Sequence, residues 1–269
     1  MEKSSIDTSL IADGTQSQLI QFRQSKGALP DIESTTHIYG SNSSVMCDTD
    51  ARGHAKPKSS RRNLIEAVLD ASEGVIRLWA PNTILRWKFQ ERSIALLEDP
   101  EAAKLAIKEL LAQALLAWGD AAPVKFTQRE DAWDFEIEVR ESDKCRRTQN
   151  QEKACVLASA FFPDAGRHEL VIYPKMFTQS REEQIDTLIH ELGHIFGLRH
   201  FFANVRETAF ASEIFGTHDS FSIMNYGDES RLTEADKADL KKLYQMVWSG
   251  ELSEINGTRI ELVKPSHAL

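Results

Sequence analysis

"TLIHELGHIFGLRHFF", residues 187–202, carries three histidines and one glutamate in an otherwise apolar run. His190 and His194 stand four residues apart, so on a helix they project from one face, one turn above the other, as the two arms of a metal chelate. Leu188, Leu192 and Ile195, at i, i+4 and i+7, fall on a different stripe that can bury against a core. Glu191 lies at the edge of the ligand face, within reach of a metal-bound water without ligating the metal itself. Gly197 offers the left-handed conformation that stops a helix and lets His200 return as a third ligand. Three neutral imidazoles suit zinc and leave a fourth position open for water, which is a catalytic arrangement. A lone H-E-x-x-H occurs in ordinary helices, but His190, Glu191, His194, Gly197 and His200 together make a far more specific string.

That string resembles the one carried by the metzincin zinc endopeptidases. Members of that family also place a methionine turn beneath the metal, and "FSIMNYG", residues 221–227, supplies Met224. The resemblance implies a zinc-dependent endopeptidase acting on polypeptide, with His190, His194 and His200 as ligands and Glu191 as general base. It further implies that Met224 is a floor in packing contact with the site, and that Tyr226 is a hydroxyl donor to the oxyanion, the alternative being a core tyrosine.

From about residue 77 to 247 the order of elements resembles the matrixin branch, with "LWAPNTILRWKF", a helix ending "LLAWG", "PVKFT" and "DFEIEV" where that branch has similar segments. "HDSFSIMNYG" is more similar to the turn of astacin-like and serralysin-like members. The fold class implied is α+β: a twisted mixed β-sheet with an active-site helix, a helix behind the sheet and a C-terminal helix. Matrixins usually carry a structural zinc and calcium as well. Where their "LAHAF" string has a histidine, this chain has Ser159 in "LASAF"; His168, alone in the polar "DAGRHE", reads as a solvated turn residue. One catalytic zinc is therefore expected, without structural zinc or calcium.

Matrixin zymogens resemble one another in a cysteine that occupies the open zinc position before activation. Cys47, in "VMCDTDARGH", has the right order in the chain and a thiolate is a strong zinc ligand, although the flanking residues differ from the usual string. Asp48 or Asp50 as ligand, or an arm that never reaches the cleft, are the alternatives. Two rivals to the peptidase reading are a non-catalytic zinc-stabilised binding module, against which Glu191 weighs, and a hydrolase confined to very small substrates.

The chain has 269 residues, 41% of them apolar, enough for one good core with tails. Its net charge of −9 argues against nucleic acid and anionic membrane surfaces, which attract basic patches, so the expected partner is polypeptide and the expected state a monomer. No run reaches the roughly 18 apolar residues of a membrane span, and the N-terminus lacks the layout of a secretory signal. A cytoplasmic location or export by a non-classical route follows as the expectation. Cys145 and Cys155 could pair across a polar loop in an oxidising compartment; without a signal, free thiols are expected.

Residues 1–60, rich in polar residues and without apolar period, read as a disordered arm and possible pro-segment. "NLIEAVLDASEG" reads as a short connecting helix within 61–76, followed by a catalytic domain over 77–250 and a C-terminal hairpin and tail over 251–269. Leu85, Trp87 and Phe89 alternate with Arg86 and Lys88 as in a one-face-covered strand; Trp133, Phe135, Ile137 and Val139 do the same against Asp134, Glu136, Glu138 and Arg140. Asp99, Pro100 and Gly119 bracket a helix whose buried stripe is Ile107, Leu111, Ala114 and Trp118. "CVLASAFFP" and "ELVIYP" read as short strands. Ser180 with Glu183, and Thr233 with Asp236, read as helix starts, and Asn256-Gly257 as a hairpin turn.

Overall fold

The alternating segment around Trp87 becomes the middle of a sheet. In the computed structural model, which describes residues 67–70, 74–147, 153–200, 212–215, 222–224 and 230–268, β1 is Ala67–Asp70, β2 Val75–Trp79 and β3 Ile84–Phe89. Leu85, Trp87 and Phe89 are buried while Arg86 and Lys88 stay half-exposed, the two-residue period of a strand covered on one face. A single turn, α1 (Glu91–Ile94), leads to α2 (Pro100–Trp118). The Asp99 side chain accepts from the Ala102 amide at its start, and Gly119, at φ 57°, ends it. Its buried stripe, including Ile107, Leu111, Ala114 and Trp118, joins the main core behind the sheet.

β4 (Lys125–Gln128), β5 (Phe135–Val139), β8 (Ala158–Ser159) and β9 (His168–Ile172) complete a five-stranded sheet in the order β4-β3-β5-β9-β8. Every pairing is parallel except β8 with β9, so β8 is an antiparallel edge strand. The helix α3 (Arg181–Ile195), which carries His190, Glu191 and His194, is followed by β10 (Leu198–Arg199), β11 (Ser212–Phe215), α4 (Glu234–Ser249), β12 (Glu254–Ile255) and β13 (Thr258–Val263). This is the α+β class with a mixed sheet. Among the described residues no helix is long and apolar enough to cross a membrane.

Four local expectations are corrected. Residues 67–70, placed by composition in a helix, form β1, paired antiparallel with β10 on one side and β11 on the other. Ala, Leu and Glu favour helices by only tenths of a kcal/mol, and two partner ladders with a fully buried Leu69 outweigh that. Cys145 and Cys155 are not free thiols. They are disulfide-bonded across a hairpin of β6 (Lys144–Arg147) and β7 (Lys153–Val156), where the register sets them directly opposite.

Trp133 does not continue the buried face of β5. It lies outside, with Lys88 Nζ 3.5 Å from its ring centre and the Arg167 guanidinium at 4.5 Å, while Asp134 is buried. Asp134 accepts from the Arg86 amide (2.8 Å) and from the His267 amide and Nδ1 (3.1 and 2.7 Å), so its burial is fully compensated. His168 is not a solvated turn residue: it opens β9, its ring stacks on Phe161 at 4.3 Å, and Nε2 lies 2.7 Å from Asp164. The expected turn in the tail is present: Asn256 and Gly257, both with positive φ, turn a hairpin, and β13 further pairs in parallel with β2 over five residues.

Candidate metal centre

α3 starts where a capping box predicts. The Ser180 hydroxyl accepts from the Glu183 amide, and Glu183 reaches back to the Ser180 amide. From Thr187 to Ile195 every residue is buried, which puts four polar side chains, Thr187, His190, Glu191 and His194, inside the protein. Burial at that cost requires partners.

The structure brings His190, His194 and His200 together, with ligand-capable nitrogens all within 4.8 Å of one another. His190 Nδ1 lies 2.7 Å from the Ile223 carbonyl and His194 Nδ1 2.7 Å from the Leu198 carbonyl. A carbonyl only accepts, so both Nδ1 atoms carry the proton and both Nε2 atoms are left with a lone pair. These nitrogens meet a third: His190 Nε2 is 3.2 Å from His194 Nε2 and 3.1 Å from His200 Nε2. Facing lone pairs repel unless a cation lies between them. A tetrahedral zinc with Zn–N bonds of about 2.0–2.1 Å holds its nitrogens about 3.3 Å apart, so the donor set fits that ion.

The exit of α3 is tied down by residues far away in sequence. The last carbonyls of a helix lack intrahelical partners. Here Trp79 Nε1 donates to the Ile195 carbonyl (2.7 Å) and the Tyr244 hydroxyl donates to the Phe196 carbonyl (3.0 Å) while accepting from the Trp79 amide (3.3 Å). Burial pushes the Tyr244 hydroxyl pKa well up, which keeps it a donor. Gly197 has φ 96°, and a Cβ there would press on Leu78 Cδ2 at 3.0 Å, so the reversal that carries the chain toward His200 needs glycine twice over.

Met224 packs under the helix. Its thioether occupies the space a side chain at Gly193 would fill, with Trp118 alongside. The turn that carries it is fixed by Ser222, whose hydroxyl donates to Asp236 Oδ1 (2.6 Å) and accepts from the Met224 amide (3.1 Å). Asp236 is also the third residue of α4, where it caps the helix with Thr233. Burial raises its pKa against these hydrogen bonds. Phe162 stands edge-on to the His194 ring at 5.5 Å.

Of the residues singled out in the sequence, Tyr226 and Cys47 lie outside the described residues. Trp79, Trp118, Tyr244, Ser222, Asp236 and Phe162 surround α3 and its histidines, a placement the sequence did not reveal. Asp236, in its capping box with Thr233, and Trp118, in the buried stripe of its helix, carried local signals.

No curated protein matches the chain. Among solved structures it is similar to one titled "Structure of myroilysin", at 12% identity over 66% of this chain and 98% of that chain with a TM-score of 0.41. It is also similar to "Crystal structure of myroilysin", at 15% identity over 62% and 85% with a TM-score of 0.40. Residues 79–245, more than half of the chain and including the whole of α3, match the family described as Matrixin, and the chain belongs to that family of zinc metallopeptidases.

Proposed function

We propose that this matrixin is a zinc-dependent endopeptidase in which His190, His194 and His200 hold the metal and Glu191 is the general base. The observation that supports this most is the convergence of three buried imidazole nitrogens, two of them held in the ligating tautomer by carbonyls, next to a glutamate that is 2% exposed. When bound, zinc supplies the Lewis acidity that brings a water proton within reach of a carboxylate near neutral pH. Glu191 takes that proton as the water oxygen attacks the scissile carbonyl carbon. It delivers the proton to the amide nitrogen as the C–N bond breaks, so the carboxylate is regenerated. Tyr226 donates its hydroxyl toward the carbonyl oxygen as negative charge develops there.

An extended polypeptide is the substrate form that suits the fold, because β8 is the edge of the five-stranded sheet and its ladder can take a further strand. The segment "GDESRL" after the methionine turn would line the pocket beyond the cleavage point. The test is cleavage of a denatured protein with zinc content measured in parallel. Glu191→Ala should keep one zinc per chain and lose cleavage, whereas His190→Ala should lose both. Undiminished cleavage by the first variant, or one tightly held zinc in the second, contradicts the roles assigned.

A further inference from the structure

Leu198 is where two parts of the metal centre meet. Its carbonyl lies 2.7 Å from His194 Nδ1, and it precedes His200 by two residues, with the fully buried Arg199 between. Leu198 and Arg199 are the whole of β10, and a two-residue strand is far too short to hold its own conformation. What lies against it is β1, with Val68 opposite Arg199 and Leu69 opposite Leu198. On its other edge β1 pairs with β11 along its whole length, from Ala67 opposite Phe215 to Asp70 opposite Ser212. β11 belongs to the stretch between His200 and Met224. β1 is therefore the central strand of the sheet β10-β1-β11, and it precedes the matrixin segment at 79–245. Leu69 and Leu198 are both buried in the main core.

We propose that β1 is a splint for the metal centre. By pairing with β10 it fixes the carbonyl that orients His194 and the path that delivers His200, so Ala67–Asp70 act as positioning residues for the metal. The proposal rests on the zinc reading of the three imidazoles. A ligating nitrogen must be held to within about 0.5 Å of its productive place, and partners that orient a metal ligand typically change metal affinity by about 10–100-fold when lost. A strand that merely contributed to folding would act differently. It would lower the stability of the zinc-free and zinc-loaded protein alike and leave zinc affinity unchanged.

The test uses the full chain with Val68→Pro, which removes an amide hydrogen from a strand paired on both edges. Zinc affinity is read by competition with a chromophoric chelator, the ligand field by the visible spectrum of the cobalt(II) form, and folding by urea unfolding of the zinc-free protein. The expected result is zinc affinity weakened about 10–100-fold and an altered cobalt spectrum, with a cooperative zinc-free unfolding transition retained. Leu85→Ala, a core truncation in β3 that leaves β1 and its ladders untouched, should unfold at lower urea with zinc affinity unchanged. If Val68→Pro does not fold, hydrogen exchange on the wild-type protein decides: zinc should slow the amides of residues 67–70 together with those of Leu198 and Arg199. Wild-type zinc affinity in Val68→Pro, or exchange in β1 that ignores zinc, overturns the splint and leaves the zinc reading standing. A wild-type chain that binds no zinc overturns both.

Discussion

Replacing Gly193 with alanine tests whether the contact between α3 and the methionine turn sets the place of Met224. In an ordinary helix interior the exchange stabilises by about 1 kcal/mol, because alanine loses less backbone freedom on folding. Here the new Cβ would be driven into Met224 Sδ and would lie 3.3 Å from Cε and 3.6 Å from Trp118 Cζ2. The thioether has three rotatable bonds and could move. Its room is limited, because Met224 is 2% exposed and the Trp118 indole is held by its N–H to the Ile189 carbonyl at 3.0 Å. Forcing an extra methyl into such a site costs about 1–3 kcal/mol. Set against the gain in propensity, Gly193→Ala should lose roughly 1 kcal/mol net, within about 0 to 2.

The sign is sharpened by a double-mutant cycle. In a Met224→Ala background the clash is gone and the same exchange should stabilise by about 1 kcal/mol, giving a coupling of about 1–3 kcal/mol between the two positions. Urea unfolding of the four proteins, zinc-free and zinc-loaded, measures it. If Gly193→Ala stabilises equally in both backgrounds, the helix and the turn are not in contact at this residue and the placement of Met224 beneath the site is wrong.

Tyr244→Phe removes the group that satisfies both the Trp79 amide and the Phe196 carbonyl, so it should cost about 2–4 kcal/mol in urea unfolding, and a loss below about 0.5 kcal/mol would show that neither bond matters. Burial sets the Asp236 pKa above its unfolded value, so its contribution to stability is fully present below the unfolded pKa of about 4 and is lost as pH rises through the raised folded value. Asp236→Asn cannot ionise and should unfold with a flatter pH dependence in that window; an unchanged slope would refute the assignment. Replacing Cys145 and Cys155 together by serine opens a cross-link spanning ten residues and should lower stability by about 2–3 kcal/mol under oxidising conditions, with wild type and variant converging in excess dithiol.

What the sequence makes legible in this centre is what lies within a few turns of chain. His190, Glu191, His194, Gly197 and His200 span eleven residues, and helical spacing plus one left-handed turn accounts for their meeting. Both capping boxes are equally local, as are the alternations in β3 and β5. The rest is main-chain or long-range. The carbonyls of Ile223 and Leu198 hold the His190 and His194 rings, yet any residue type supplies a carbonyl, so no side-chain pattern announces them. Trp79 reaches Ile195 across 116 positions, and Asp134 reaches His267 across 133. β1 shows the limit most plainly, since "AVLD" has no strand alternation of its own and is extended because β10 and β11 flank it.

These long-range contacts share a direction. β13, beyond the matrixin segment on the C-terminal side, pairs with β2 through Val263 opposite Trp79, and Trp248 Nε1 donates to the Trp79 carbonyl at 2.9 Å. Trp79 in turn donates to Ile195, the last residue of α3. On the N-terminal side β1 grips β10, three residues further along the same path. The reversal between His194 and His200 is thus held from both flanks of the matched segment, at its start through Trp79 and at its end through β1. An imidazole delivered by a loop needs such anchoring where one delivered by a helix does not: His190 and His194 inherit their spacing from α3, whereas His200 depends on every residue of the turn before it.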